Sequence, residues 1–111
     1  MNKVLLNHSG VIKLTESIDY SKDAVVSKTI LKNTGGSVTL FAFDKGQGLS
    51  EHSAPFDALV NIIDGKVNIS INKKEYLVST GEWIIMPASI PHALKSVTPF
   101  KMVLTMLNKN K

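Results

Sequence analysis

Between Gly48 and Gly65 the chain reads GLSEHSAPFDALVNIIDG, and this stretch limits the fold more than any other. It opens with a turn glycine, runs into His52, and breaks at Pro55. It then alternates, with Ala58, Val60 and Ile62 on one face, and stops at Asp64-Gly65. The next residues, KVNISI, alternate again, with Val67, Ile69 and Ile71 set against Lys66, Asn68 and Ser70. An Asp-Gly pair between two alternating runs predicts a two-residue hairpin, because a type I′ turn needs φ > 0 at both central positions. A second stretch, GEWIIMPASIPH, runs from Gly81 to His92 and also delivers a histidine close to prolines. Two β segments that each carry one histidine to a proline-marked bend predict a barrel with a pocket inside it.

The period of two extends over most of the chain. VVSKTILK from Val25, SVTLFAFD from Ser37, EYLVS, EWIIMPA, HALKSV and FKMVLTML all read as strands, rich in β-branched and aromatic residues. Turn signals separate them: Asn33-Thr34-Gly35-Gly36, Gly46-Gln47-Gly48, Lys73-Lys74, Thr80-Gly81, Ala88 to Pro91 and Thr98-Pro99. Pro87 and Pro91 forbid central ladder positions, so the loop between them belongs at a barrel rim. Eight or nine short strands at hairpin spacing predict an antiparallel sandwich or closed barrel. Before Val25, the helix-like spacing of Val11, Leu14 and Ile18 fits either one short helical turn or an extended arm. The division expected is an N-terminal arm over 1–24, a barrel over 25–107 and a basic tail over 108–111, with residues 1–10 loosely structured and His8 on the surface.

Composition excludes several classes. A chain of 111 residues is one domain. It has no cysteine, hence no disulfide framework, thiolate zinc site or cysteine nucleophile. The net charge of +4 arises without a single arginine, from scattered lysines, Lys73-Lys74 and the tail residues Lys109 and Lys111. Nucleic-acid surfaces cluster Arg and Lys with aromatics, so no nucleic-acid partner is expected. Apolar runs fall far short of the ~20 residues that cross a bilayer, and MNKVLLNHSG lacks a signal-peptide core. A cytoplasmic protein with no membrane association is expected.

The two glycine-to-histidine stretches resemble the motifs of the cupin superfamily, specifically its small single-domain members, over about residues 35 to 107. The first cupin motif is a glycine, His-x-His, a glutamate and a glycine; His52, Ala54, Ala58 and Gly65 fall on the positions after the first glycine. The second is a glycine, a proline, a histidine and an asparagine; Gly81, Pro87, His92 and Ser96 fall there. The resemblance implies an all-β, antiparallel jelly-roll barrel. It also implies a divalent metal, zinc, iron, nickel or manganese, held by three histidines and one glutamate. Only His52 and His92 of that set are present, with alanine at the other two positions. Two imidazoles alone bind such ions weakly, since catalytic sites take at least three protein ligands. A weak or vacant metal site at His52 and His92 is therefore expected, with Glu51, Asp57 and Gln47 as candidate replacement donors. Regular alternation turns Glu51 and Asp57 outward, and a bulge near Ala54-Pro55 would be needed to re-aim them.

The ligand pocket expected from this pattern is formed by His52, His92, Met102, Met106 and Val60. Met86 and Trp83 read as packing residues, and flexible thioethers along a wall suit an apolar ligand. Alternation sets Phe41, Phe43, Leu59 and Ile63 outward, which predicts an interface, and small cupins commonly pair as dimers by their sheets. Three functional classes remain. The first is a homodimeric module binding a small organic ligand without a strong metal. The second is a metal-dependent enzyme, dioxygenase-like or isomerase-like, using a recruited carboxylate. The third is a structural dimer with a vestigial pocket. Catalytic residues and the substrate are not legible.

Overall fold

A computed structural model describes residues 10–108. The expected loose leading segment, His8, and Lys109 and Lys111 of the tail lie outside the described residues. Among them the only helical element is a 3₁₀ turn, Leu14–Glu16, where the spacing of Val11, Leu14 and Ile18 fits a helical turn. Nine strands follow: β1 (Val25–Asn33), β2 (Gly36–Phe43), β3 (Gly48–His52), β4 (Phe56–Asp64), β5 (Lys66–Ile71), β6 (Lys74–Ser79), β7 (Trp83–Met86), β8 (His92–Ser96) and β9 (Phe100–Asn108). They form two antiparallel sheets, one ordered β1-β2-β9-β4-β7 and the other β3-β8-β5-β6. Sequential strands mostly sit in opposite sheets, which is the jelly-roll arrangement of an all-β barrel.

The Asp64-Gly65 hairpin is not formed. β4 pairs with β7 and β9, while β5 pairs with β6 and β8, so the chain crosses between sheets at this point. Of the two residues only Gly65 has positive φ, at 84°, and a Cβ added to it would fall 2.1 Å from the Pro99 carbonyl oxygen. The glycine is there for a corner and a close approach, with the register shift between Ile62 and Asp64 bending β4 into it. The hairpin with positive φ at both central residues is instead β5–β6, through Asn72 (φ 50°) and Lys73 (φ 69°).

Apolar residues divide into two clusters. Phe43, Val60, Ile62, Val67, Ile69, Phe100 and Met102 fill the space between the sheets. Phe43 and Phe100 stack there with ring centroids 4.5 Å apart, an arrangement contributing about 0.5–1.5 kcal/mol beyond the buried area. Phe41 packs against the same cluster, so Phe41 and Phe43 point inward, contrary to the expected outward facing. The opposite face of β2 carries Leu40 and Ala42, which are buried with Ile18 and Ile30 and flanked by Leu14, Tyr20 and Ile63. Both faces of β2 are apolar because the segment before β1 covers the outer one. Buried Lys101 ties that cover down: its ammonium donates to the Thr15 carbonyl at 2.6 Å and lies 5.0 Å from the Tyr20 ring centre. The Tyr20 hydroxyl donates to Asp64 at 2.5 Å, beside the Gly65 corner. Burial, and then that bond to a carboxylate, push the Tyr20 phenol well above its usual range.

Candidate functional site

β3 is the edge strand of the smaller sheet and β8 lies next to it. His52 ends β3 and His92 begins β8, and the two are direct cross-strand partners after a register shift between Leu49 and His52. Their rings meet edge-to-face with centroids 4.4 Å apart. His52 is exposed at the rim and His92 is buried, 6 % exposed. Each Nδ1 lies against the carbonyl two residues earlier, Ser50 at 2.8 Å for His52 and Ile90 at 3.2 Å for His92. A carbonyl only accepts, so each Nδ1 carries the hydrogen in the neutral ring and each Nε2 keeps its lone pair. Burial holds the His92 imidazole below its ordinary pKa, and the nearby His52 adds to this, against the bond to Ile90.

Both rings line one cavity of about 60 Å³, walled by Leu49, Ala54, Phe56, Ala58, Met86, Leu94, Met102, Leu104 and Met106. A water needs only ~10–15 Å³ of such space, so there is room for a handful of non-hydrogen atoms. The rim loop that follows β7 shapes the mouth. Its Ser89 N–H donates to the Ala54 carbonyl at 2.7 Å, and its Ala88 N–H donates to Asp57 Oδ1 at 3.0 Å. The Asn72 N–H donates to Pro91 at 2.8 Å, anchoring the loop's far end to the β5–β6 turn.

Of the expected pocket residues, His52, His92, Met102 and Met106 come together here. Val60 does not: it is fully buried in the core between the sheets and forms no part of the cavity wall. The three candidate replacement donors also stay out. Glu51 is exposed and pairs with Lys73 at 3.1 Å; Asp57 faces outward and holds the rim loop. Gln47 is engaged through its backbone, with its carbonyl accepting from Ser96 N–H at 3.0 Å. The bulge expected near Ala54-Pro55 is not formed, because the chain leaves strand geometry between His52 and Phe56. The register shift in β3 falls earlier, between Leu49 and His52, and leaves Glu51 exposed. Met86, Leu49, Leu94 and Phe56 are wall residues that sequence reasoning missed as such. For Met86 the available signal was its place one residue before Pro87, at the inner end of β7.

The divalent ion implied by the resemblance does not fit this donor set. Two imidazoles meet no carboxylate in the cavity, and among the described residues no group of three or more His, Cys, Asp or Glu is arranged to hold a metal. A wider groove of about 490 Å³ runs outside along the β6–β7 edge past Tyr76, Leu77, Glu82 and Trp83; its lining has no histidine. Among the described residues no helix is long and apolar enough to cross a membrane.

Comparison with known proteins agrees with the architecture. A conserved protein of unknown function from Streptococcus pyogenes, SPY1581, is 35% identical, with a TM-score of 0.91 over 100% of this chain and 97% of that one. A cupin 2 conserved barrel domain protein from Leptotrichia buccalis is also 35% identical, with a TM-score of 0.84 over 86% of this chain. This chain spans about half of the Leptotrichia protein, 47%. A cupin superfamily protein from Desulfitobacterium hafniense shares the fold at 22% identity, with a TM-score of 0.84 over 96% of this chain and 97% of that one. No curated protein matches the sequence. The pattern of the cupin domain matches residues 39–107, and the chain therefore belongs to the cupin family.

Proposed function

We propose that this cupin is a binding module whose cavity takes a small organic ligand between His52 and His92, without a strong site for a divalent ion. The observation that carries this reading is the shared arrangement of the two rings. Each is locked by a backbone carbonyl at Nδ1, and each keeps an acceptor at Nε2 beside a wall of Leu, Phe, Met and Ala. Burial holds the His92 imidazole below its ordinary pKa, so its Nε2 accepts a hydrogen bond rather than offering positive charge. The ligand class that fits is compact, with one or two hydroxyl or N–H donors on an apolar body. Ala54 and Ala58 on the wall, at the positions where the cupin motif has a histidine and a glutamate, support the lack of a strong divalent site.

Imidazole nitrogen NMR tests this directly. Titrating a panel of small alcohols, phenols and amides should move the Nε2 resonances of His52 and His92 together, and His92→Ala should abolish the response. A panel that leaves both rings unmoved overturns the reading.

The protein works as a homodimer on this view. The outward apolar residues on β4, β7 and β9, Leu59, Trp83, Ile85 and Leu107, support a second copy as the partner, in place of the inward Phe41 and Phe43. A cysteine-free composition accords with a cytoplasmic setting.

A further inference from the structure

Thioethers give the cavity a second kind of donor. The chain has four methionines. Met1 lies outside the described residues, and Met86, Met102 and Met106 all line the cavity that both histidines line. Register positions two of them. Ala58 of β4 is directly opposite Met86 on β7 and directly opposite Met106 on β9. Directly opposed residues on one sheet face hold their Cβ atoms ~4.5–5.5 Å apart. Met86 and Met106 therefore flank Ala58 on the inward face, and its single methyl leaves the space between them open. His52 and His92 form the matching cross-strand pair on the other sheet.

We infer that this pocket takes one cuprous ion, held by Nε2 of His52 and His92 and by the thioether sulfurs of Met86 and Met106. The inference rests on the reading of the pocket as a binding site and adds a second occupant to it. Three properties of the donors select this ion. Thioether sulfur is soft and favours Cu(I), whereas magnesium, calcium and manganese favour carboxylate and carbonyl oxygen. All four donors are neutral, so nothing in the wall offsets the ion's charge. The Born cost of desolvation scales with charge squared, so a divalent ion pays about four times what a monovalent one does in the same cavity. Finally, four donors arriving in pairs from two facing sheets suit the four-coordinate tetrahedral habit of a filled d-shell ion. A cavity of about 60 Å³ accommodates one such ion.

The test is an anaerobic titration of the whole chain with cuprous ion, delivered as its acetonitrile complex, against a chromophoric Cu(I) chelator. The expected result is one ion retained per chain, with sulfur in its first coordination shell by X-ray absorption. Leucine matches methionine closely in volume, so Met86→Leu and Met106→Leu keep the packing. Each should weaken retention by at least the roughly tenfold that losing even an outer-shell partner costs. Melting curves check that both variants are folded. Complete surrender of the ion to the chelator, a shell with only nitrogen and oxygen, or leucine variants that retain copper like the parent would each overturn the inference. The fragment titration on metal-free protein separates the two readings. If fragments still move both imidazoles while copper is surrendered, only the copper assignment falls; if neither occupant binds, the pocket reading falls with it.

Discussion

His52 and His92 hold the same pose from opposite strands: each ring leans on the carbonyl two residues behind it and presents its edge or face to the other at 4.4 Å. Fixing the tautomer in this way makes His92 acid-sensitive, because protonation removes the Nε2 lone pair on which binding depends. The pH dependence of folding should show it. In the folded chain His92 gains its proton below the ordinary value of 6.5, chiefly because burial penalises the cation. Between that lowered value and 6.5 the unfolded chain binds more protons, so stability rises with pH across this window. The contribution is complete above the window and is lost as pH falls through it. Urea unfolding midpoints measured from about pH 8 down to about pH 5 should decline there, and ligand affinity should fall with them. His92→Gln should flatten that part of the profile. An unchanged slope in the variant would assign the acid sensitivity to another group.

Trp83 and Ile85 stand 64 % and 60 % exposed on β7, beside Leu107 at 55 %. With Leu59 they make a continuous apolar strip on the outer face of the larger sheet. If a second copy covers this strip, the buried area should exceed ~1,000 Å² in total. Light scattering should then report a dimer at micromolar concentration, and Trp83→Glu should convert it to a monomer by setting a charge at the seam. The ligand cavity lies on the other side of the sheet, so imidazole NMR should be unaffected. A parent protein that is monomeric at that concentration ends the dimer reading.

Gly65 and Gly46 provide a matched pair for the cost of a corner. Both have positive φ, 84° and 86°. A Cβ at Gly46 meets nothing within 4 Å, whereas one at Gly65 meets the Pro99 carbonyl oxygen at 2.1 Å and Phe100 atoms at 2.9 Å. Gly46→Ala should cost only the left-handed penalty, about 1–2 kcal/mol. Gly65→Ala should add to this the roughly 1–3 kcal/mol of a forced backbone shift, and it acts on the stacked Phe100. Thermal melts of the two variants should therefore separate clearly. Equal losses would mean that the β4–β5 crossing yields easily at this corner.

The strand pattern and the two histidines were legible because both rest on local rules. Alternation locates strands, and the motif spacing brought His52 and His92 to one rim. What failed had non-local causes. Asp64-Gly65 carries the strongest hairpin signal in the chain, yet Gly65 serves a sheet-to-sheet crossing whose reason lies in Pro99 and Phe100, over thirty residues away. The true two-residue hairpin, Asn72-Lys73, lacks a glycine and so reads weakly. Phe41 and Phe43 were assigned to the wrong side because β2 is apolar on both faces. Only the covering by Ile18 and its neighbours decides which face meets the core. Alternation placed Val60 inward correctly but could not say that the cavity ends before it. The role of Met86 depended on its pairing with Ala58, a relation that no spacing reveals.

Ala58 sits between two methionines, and this gives the donor-restoring variant a clear signature. Ala54→His with Ala58→Glu adds to the cavity wall the imidazole and carboxylate of the cupin motif. In metal-free protein the new carboxylate has an apolar wall and no cationic partner, so it must be protonated or costs about 1–3 kcal/mol at least. The double variant should therefore melt several degrees below the parent, at ~4–8 °C per kcal/mol for a domain of this size. Zinc should reverse the loss, because an ion that binds only the folded chain stabilises it by about 2.7 kcal/mol at a hundred times its dissociation constant. The parent should show no comparable zinc-dependent rise. Adding His52→Ala to the double variant should remove the rescue while leaving the metal-free melting point little changed, since His52 is exposed at the rim. A parent protein that keeps stoichiometric zinc after dialysis against chelator would contradict the donor inventory. Glu51, Asp57 and Gln47 would then be the first residues to replace, and the metal-dependent enzyme reading would displace the binding module.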